Sequence, residues 1–300
     1  MPDSFTICFK PFHPISKVEK EPMSYRFRQS ICNEVFEGWE FQKTCEAVKA
    51  AGYDGIEIAP FTLAETPGKI TAARRRKLKK IMADSGLDFV GLHWLMVSPK
   101  GLHVTTPDEA LYKRSWTHID QLIDLCADLG DQRILVFGSP LQRSSTGGLT
   151  PAQATRRFVD GLKSVAPHAA DRGVKILVEA LPKEQSDIVN SVAAAVAIVD
   201  EIGSPAIQTM FDTHNAADET EPHAVVLERF YDKIFHVHVN ELDGGYCGSG
   251  DYDFKPIFEV LRRKEYPGWV SLEAFDFKPG AVYIAQRSLR YLEDEIAQLS

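Results

Sequence analysis

KILVEAL at 175–181, IQTMFDTHN at 207–215, IFHVHVNE at 234–241 and WVSLEAF at 269–275 decide the fold. Each is a short run of β-branched and aromatic residues with an ionisable residue near its C-terminal end. A strand buried on both faces reads as an almost continuous apolar run, which is the habit of parallel sheets covered by helices. A charge inside such a run costs several kcal/mol unless it is paired or bound to a metal. Glu179, Asp212, His236 with His238, and Glu273 are those exceptions. In the third run the period of two puts Phe235, Val237 and Val239 on one face and His236, His238 and Asn240 on the other.

Working outward, similar runs occur at 27–33, 55–60, 89–95 and 133–138, so there are eight in all. Helical patterns separate them. One runs from Trp39 to Ala51 and stops at Gly52, a second opens at Pro107-Asp108 and stops at Gly130, and a third opens at Thr150-Pro151 and closes at Gly173. Eight alternating βα units predict a single (β/α)8 TIM barrel over 26–300 with a short N-terminal extension over 1–25, the latter broken by Pro11, Pro14 and Pro22. No GxGxxG opens a helix after the first strand, as a doubly wound dinucleotide fold would require. Catalytic groups of barrels sit at the C-terminal ends of the strands, where the exceptions lie.

Two Glu, one Asp and one His form a hard, oxygen-rich donor set. It predicts one divalent ion on Glu179, Asp212, His238 and Glu273, Mn²⁺ first, with Mg²⁺ or Co²⁺ as alternatives. His236 lies one strand step deeper and is expected to support a ligand or touch substrate rather than bind the ion.

Composition narrows the function classes. The 300 residues are 44% hydrophobic and 25% charged, as in a globular enzyme, and the net charge of −8 disfavours nucleic acid and anionic membranes. The basic cluster Arg74, Arg75, Arg76, Lys77, Lys79 and Lys80 reads as a solvated helix face. Five scattered cysteines without a CxxC argue for reduced thiols. With no apolar run long enough for a membrane span or a signal peptide, a cytoplasmic enzyme is expected. A homo-oligomer is left open.

The ordered set CNEVF (32–36), GYDGIEI (52–58), VEALPKEQSDIVNS (178–191), FDTHN (211–215), HVHVNE (236–241), GSGD (248–251) and SLEAF (271–275) resembles the xylose isomerase-like barrel family of sugar (phosphate) isomerases and epimerases over about residues 26–295. The resemblance implies the same four metal ligands and a carbohydrate substrate, free or phosphorylated, or a keto-polyol. It also implies proton transfer by Glu179 and Glu273 through a metal-chelated enediolate. Two positions depart from the ketose 3-epimerases of that family. Gln185 stands where they usually carry Glu, and Gly244 where they usually carry a substrate-binding Arg. A dehydratase or lyase on a keto-sugar, keto-inositol or 3-keto-glycoside is therefore the alternative. Abasic-site endonucleases share the barrel, but their extra histidines are absent here: Asn215 and Asp251-Tyr252-Asp253 stand in those places.

Further candidate substrate contacts are His93 in GLHWLM, Lys183, Gln185, His214, His236 and Glu241, while Glu57 could orient a ligand. Trp94 could face a sugar. The loop 144–148 is read as a plain turn and Cys247 as a thiol without a base.

Overall fold

The computed structural model describes residues 26–299; the expected N-terminal extension lies outside them. Eight parallel strands close on themselves in chain order: β1 (Arg28–Cys32), β2 (Gly55–Ile58), β3 (Asp88–Leu92), β4 (Ile134–Phe137), β5 (Lys175–Val178), β6 (Ile207–Asp212), β7 (Ile234–Val239) and β8 (Trp269–Leu272). The helices are α1 (Phe41–Ala51), α2 (Ala72–Asp84), α3 (Glu109–Leu129), the single turn α4 (Pro140–Arg143), α5 (Pro151–Asp171), α6 (Val192–Ile202), α7 (His223–Arg229), α8 (Lys255–Arg263) and α9 (Ala281–Ala297). The predicted barrel is the observed one.

Local signals explain the helix ends. Gly52 ends α1 at φ +111, a left-handed conformation that costs glycine no Cβ clash. Thr150 and Gln153 close a reciprocal capping box at the start of α5. Gly130 ends α3 for another reason: its backbone is extended, and a Cβ there would sit 2.8 Å from Phe89.

The strands are shorter than the apolar runs at their C-terminal ends. The β5–β6 ladder ends at Val178↔Thr209 and the β7–β8 ladder at Val239↔Leu272. Glu179 and Glu273 are thus the first residues to leave the sheet, at the rim of the barrel rather than inside a strand.

The main core packs strands against the surrounding helices, and Val136, Leu177 and Met210 form a small separate apolar cluster. Strands β1, β2, β7 and β8 bring together a polar group of buried side chains: Ser30, Glu57, His236, His238 and Ser271. Glu57 is its hub, accepting from His236 Nε2 (2.7 Å), Ser271 Oγ (2.8 Å) and His238 Nε2 (3.2 Å). Ser30 and Ser271 share a hydrogen bond between their hydroxyls. Burying so many polar atoms is tolerable only when they satisfy one another. Burial alone would raise the Glu57 pKa, but His236 and His238 hold it well below the usual carboxylate range.

Candidate active site

Glu179, Asp212, His238 and Glu273 meet at the rim with one ligand atom from each within 4.8 Å of the others, and all four are buried. His238 Nδ1 lies 3.0 Å from Glu273 Oε2 and 3.6 Å from Asp212 Oδ2. Its other nitrogen is committed to Glu57 on the opposite side. With one nitrogen held by Glu57, the other faces the carboxylates of Glu273 and Asp212, a placement suited to a metal-ligating imidazole.

Asp212 Oδ1 accepts the Asn215 amide at 2.8 Å, while its Oδ2 is buried without a hydrogen-bond partner. Glu179 Oε1 accepts from Asn215 Nδ2 at 2.9 Å. Burial, with Glu273 and Asp212 crowded beside it, pushes the Glu179 pKa up to about 8. Burial also acts upward on Glu273, but the adjacent His238 outweighs it and holds that carboxyl below its ordinary range. An unpartnered buried oxygen and carboxylates that repel one another are what a divalent cation relieves. The donor set therefore fits Mn²⁺ or Mg²⁺.

A cavity of about 420 Å³ opens over this cluster. Of the four grouped residues, Glu179 and Glu273 line it; Asp212 and His238 do not. Glycine at 138 is what leaves room for Glu179, because a Cβ there would lie 2.2 Å from Glu179 Oε2. Beneath Glu179, the fully buried Arg143 donates Nη1 to the carbonyls of Glu179 (2.7 Å) and Phe137 (2.9 Å), tying together the ends of β4 and β5.

The remaining sequence candidates separate. Gln185 lines the cavity and donates to His214 Nε2 (3.1 Å) and Asn215 Oδ1 (3.2 Å). His214 donates its Nδ1–H to the Leu242 carbonyl at 2.6 Å and meets the Phe275 ring edge-on at 5.2 Å. His236 is fully buried on Glu57. His93, expected at the mouth, is sealed below it, with Nε2 2.5 Å from Glu34 Oε2. The reason is that β3 ends at Leu92 and the chain turns at Trp94 (φ +49), so that Trp94 takes the cavity wall instead.

Lys183 is exposed and lines a separate surface depression, its backbone amide bonded to Asp218. Glu241 turns away from the cavity, because it accepts the amides of Gly248 (2.7 Å) and Tyr252 (3.0 Å) and holds the loop before α8. The loop over 144–148 binds a carboxylate of this chain: Asp187 accepts both the amide and the hydroxyl of Ser145. Cys247 is buried, with its thiol pushed well up by burial.

Sequence reasoning missed Asn215, Arg143 and Gly138 as parts of the site. Asn215 carried a signal, since it sits three residues past Asp212, one turn on. Arg143 carried none: a loop arginine reads as solvated, and only the fold encloses it.

The model of the xylose isomerase-like TIM barrel family matches residues 45–295. The chain is 25% identical to a probable ketose 3-epimerase of Synechocystis over 77% of each protein. It is 26% identical to an L-ribulose 3-epimerase of Mesorhizobium japonicum, over 79% of this chain and 76% of that one. The apo crystal structure of a 3-keto-D-glucoside 4-epimerase from E. coli superposes with a TM-score of 0.76 at 20% identity, covering 90% of this chain and 100% of that one.

Proposed function

Since the chain belongs to the xylose isomerase-like TIM barrel family, we propose that it is a divalent-metal-dependent epimerase or isomerase of keto-sugars in which Glu179 and Glu273 carry the proton. The observation that supports this most directly is that, of the four clustered ligands, these two carboxylates alone line the cavity. A substrate lying over the cluster would have one of them toward each face. One carboxylate removes the proton from the carbon beside the carbonyl, and the other returns a proton. Return to the same carbon from the opposite face epimerises; delivery to the neighbouring carbon isomerises. Atoms balance in both cases, and no oxidant is needed.

Glu179, Asp212, His238 and Glu273 are the residues that would hold the ion, Mn²⁺ because three carboxylates are joined by one imidazole, a softer donor than Mg²⁺ prefers. When bound, the ion supplies a Lewis acid that acidifies the α-proton and offsets negative charge developing on the substrate oxygens. Asp212 and His238, away from the cavity, would anchor. Glu57 would orient His238, and Asn215 would fix the Glu179 carboxylate. Gln185 would offer substrate an amide, with His214 behind it. Four described cysteines are free and buried, which suits a cytoplasmic setting.

Elimination of a β-substituent would begin with the same proton abstraction; relatives described as epimerases favour return of the proton instead. Turnover of keto-sugars in D₂O with added Mn²⁺ is the test. Deuterium at the carbon α to the carbonyl is the expected result. Turnover without deuterium would overturn two-carboxylate exchange, and release of water or an alcohol would assign the lyase chemistry. Of the described residues, no helix is long and apolar enough to cross a membrane.

A further inference from the structure

The cavity lining combines a polar group with a bulky apolar one. Around the carboxylate cluster its lining is polar: Glu179, Gln185, Asn215 and Glu273. Lys100, Ser139 and Gln142 apart, the rest is apolar, with Trp94, Val97, Leu141, Leu181 and Phe275 the bulky members.

The aromatic part of this wall is built with care. Trp94 lies between Phe61 and Phe275, with ring centroids 6.0 Å apart on each side and planes inclined by only 18° and 16°. Trp94 is held at φ +49, in the left-handed region that a bulky residue occupies only when its surroundings impose it. Phe275 owes its place to Gly244, since a Cβ there would sit 2.5 Å from the Phe275 ring. The Phe275 amide donates to the Gly244 carbonyl at 2.8 Å, which pins the ring's backbone. Leu141, also in the lining, is 81% exposed.

Resting on the epimerase reading above, we propose that this wall is an aglycone subsite and that the substrate is a ring keto-glycoside with an apolar aglycone rather than a free ketose. In a glycoside the anomeric carbon is locked, so the carbonyl must stand on another ring carbon, next to a hydroxyl-bearing carbon whose proton the carboxylates exchange. That end of the molecule lies over Glu179 and Glu273. The aglycone then extends along Trp94 and Phe275 toward Leu141. A free ketose would press hydroxyls against this wall without partners, and unpartnered hydroxyls lose their hydration for nothing. The cavity of about 420 Å³ lies within the roughly 300–1,000 Å³ range of small-molecule sites.

The experiment compares phenyl and methyl 3-keto-glucosides and D-fructose as substrates of the Mn²⁺-loaded enzyme, with α-proton exchange in D₂O and kcat/KM as readouts. The phenyl glycoside should exceed the methyl glycoside by about tenfold in kcat/KM, mostly through KM, because burying a phenyl ring adds apolar contact at one end only. In Trp94→Ala, and separately in the surface variant Leu141→Asn, that preference should fall to about twofold or less. Taking the ratio within each variant cancels any general loss of activity. Equal kcat/KM for the two glycosides, with exchange intact, would overturn the aglycone subsite and leave the epimerase reading standing. So would D-fructose as the best substrate. Exchange with none of the three would bring down the epimerase reading and this inference with it. A Leu141→Asn protein that changes its oligomeric state while keeping the phenyl preference would make the apolar rim a contact between copies, and would likewise overturn the proposal.

Discussion

Gly138 gives the sharpest test of how the site is assembled. Replacing it with Ala adds one methyl group whose carbon would lie 2.2 Å from Glu179 Oε2. A non-bonded carbon and oxygen need roughly 1 Å more than that. The backbone of β4 is tied into the barrel and cannot retreat, whereas the Glu179 carboxylate ends a flexible side chain held by Asn215. The cost therefore falls on Glu179 rather than on the fold. If Glu179 holds an ion, disturbing its orientation should weaken metal binding by about 10- to 100-fold, the usual cost of losing what orients a ligand, and a misplacement of about 1 Å in a reacting group lowers turnover by about 10²-fold.

Isothermal titration with Mn²⁺, followed by kcat/KM at saturating metal, separates the two effects. Stability should fall by about 1–3 kcal/mol at most, the usual cost of overpacking, since the carboxylate can swing into the cavity. Gly68→Ala is the control, because a Cβ there meets nothing within 4 Å; it should match wild type in every measurement. A Gly138→Ala enzyme with wild-type Mn²⁺ affinity and turnover would refute the placement of Glu179 as both ligand and base.

Glu273→Gln keeps the shape and one oxygen but removes basicity, so turnover with metal in excess should fall by about 10²–10⁴-fold; loss confined to metal affinity would reassign Glu273 as a ligand only. His236→Gln should keep its metal content near wild type by elemental analysis, because His236 reaches the site through Glu57; complete metal loss would count against that. His168 on α5 bonds Asp120 at 3.0 Å and Asp124 at 3.1 Å, and the Asp120 hydrogen bond is the first cause of its raised pKa. Its contribution to stability is therefore fully present below the unfolded value of about 6.5 and fades as pH rises through its own higher value. Thermal melts of His168→Asn should lack that small decline, and an unchanged profile would show the cluster to be energetically silent. Burial pushes the Cys45 thiol up to about 12, so native protein should leave Cys45 unlabelled by iodoacetamide at pH 8 while urea exposes it; fast native labelling would contradict its burial.

Much of the site was legible because polar residues interrupt apolar strands at the end of the barrel where active sites form. Glu179, Asp212, His238 and Glu273 each broke a pattern whose physical cause is burial, and all four converge. The period of two also put His236 on the face of His238 correctly. His93 and Glu241 broke patterns in the same way, yet the first pairs with Glu34 and the second clasps loop amides. A buried polar residue must have a partner, but its sequence neighbours do not say which one.

The sequence by itself determined the eight-unit rhythm, the closed parallel barrel and the metal-ligand candidates, because side-chain period and the cost of buried charge are local properties. Tertiary structure decided what those residues face. Strand register brings Glu57 of β2 against His236 and His238 of β7, far away in the chain. The early end of β3 hands the cavity wall to Trp94, and the missing side chain at Gly244 lets Phe275 complete it. Arg143 reads as an ordinary loop cation and becomes a buried clamp on the Glu179 backbone only when α4 folds over the ends of β4 and β5. Each of these depends on contacts between segments remote in sequence, so it appears only when the barrel has closed.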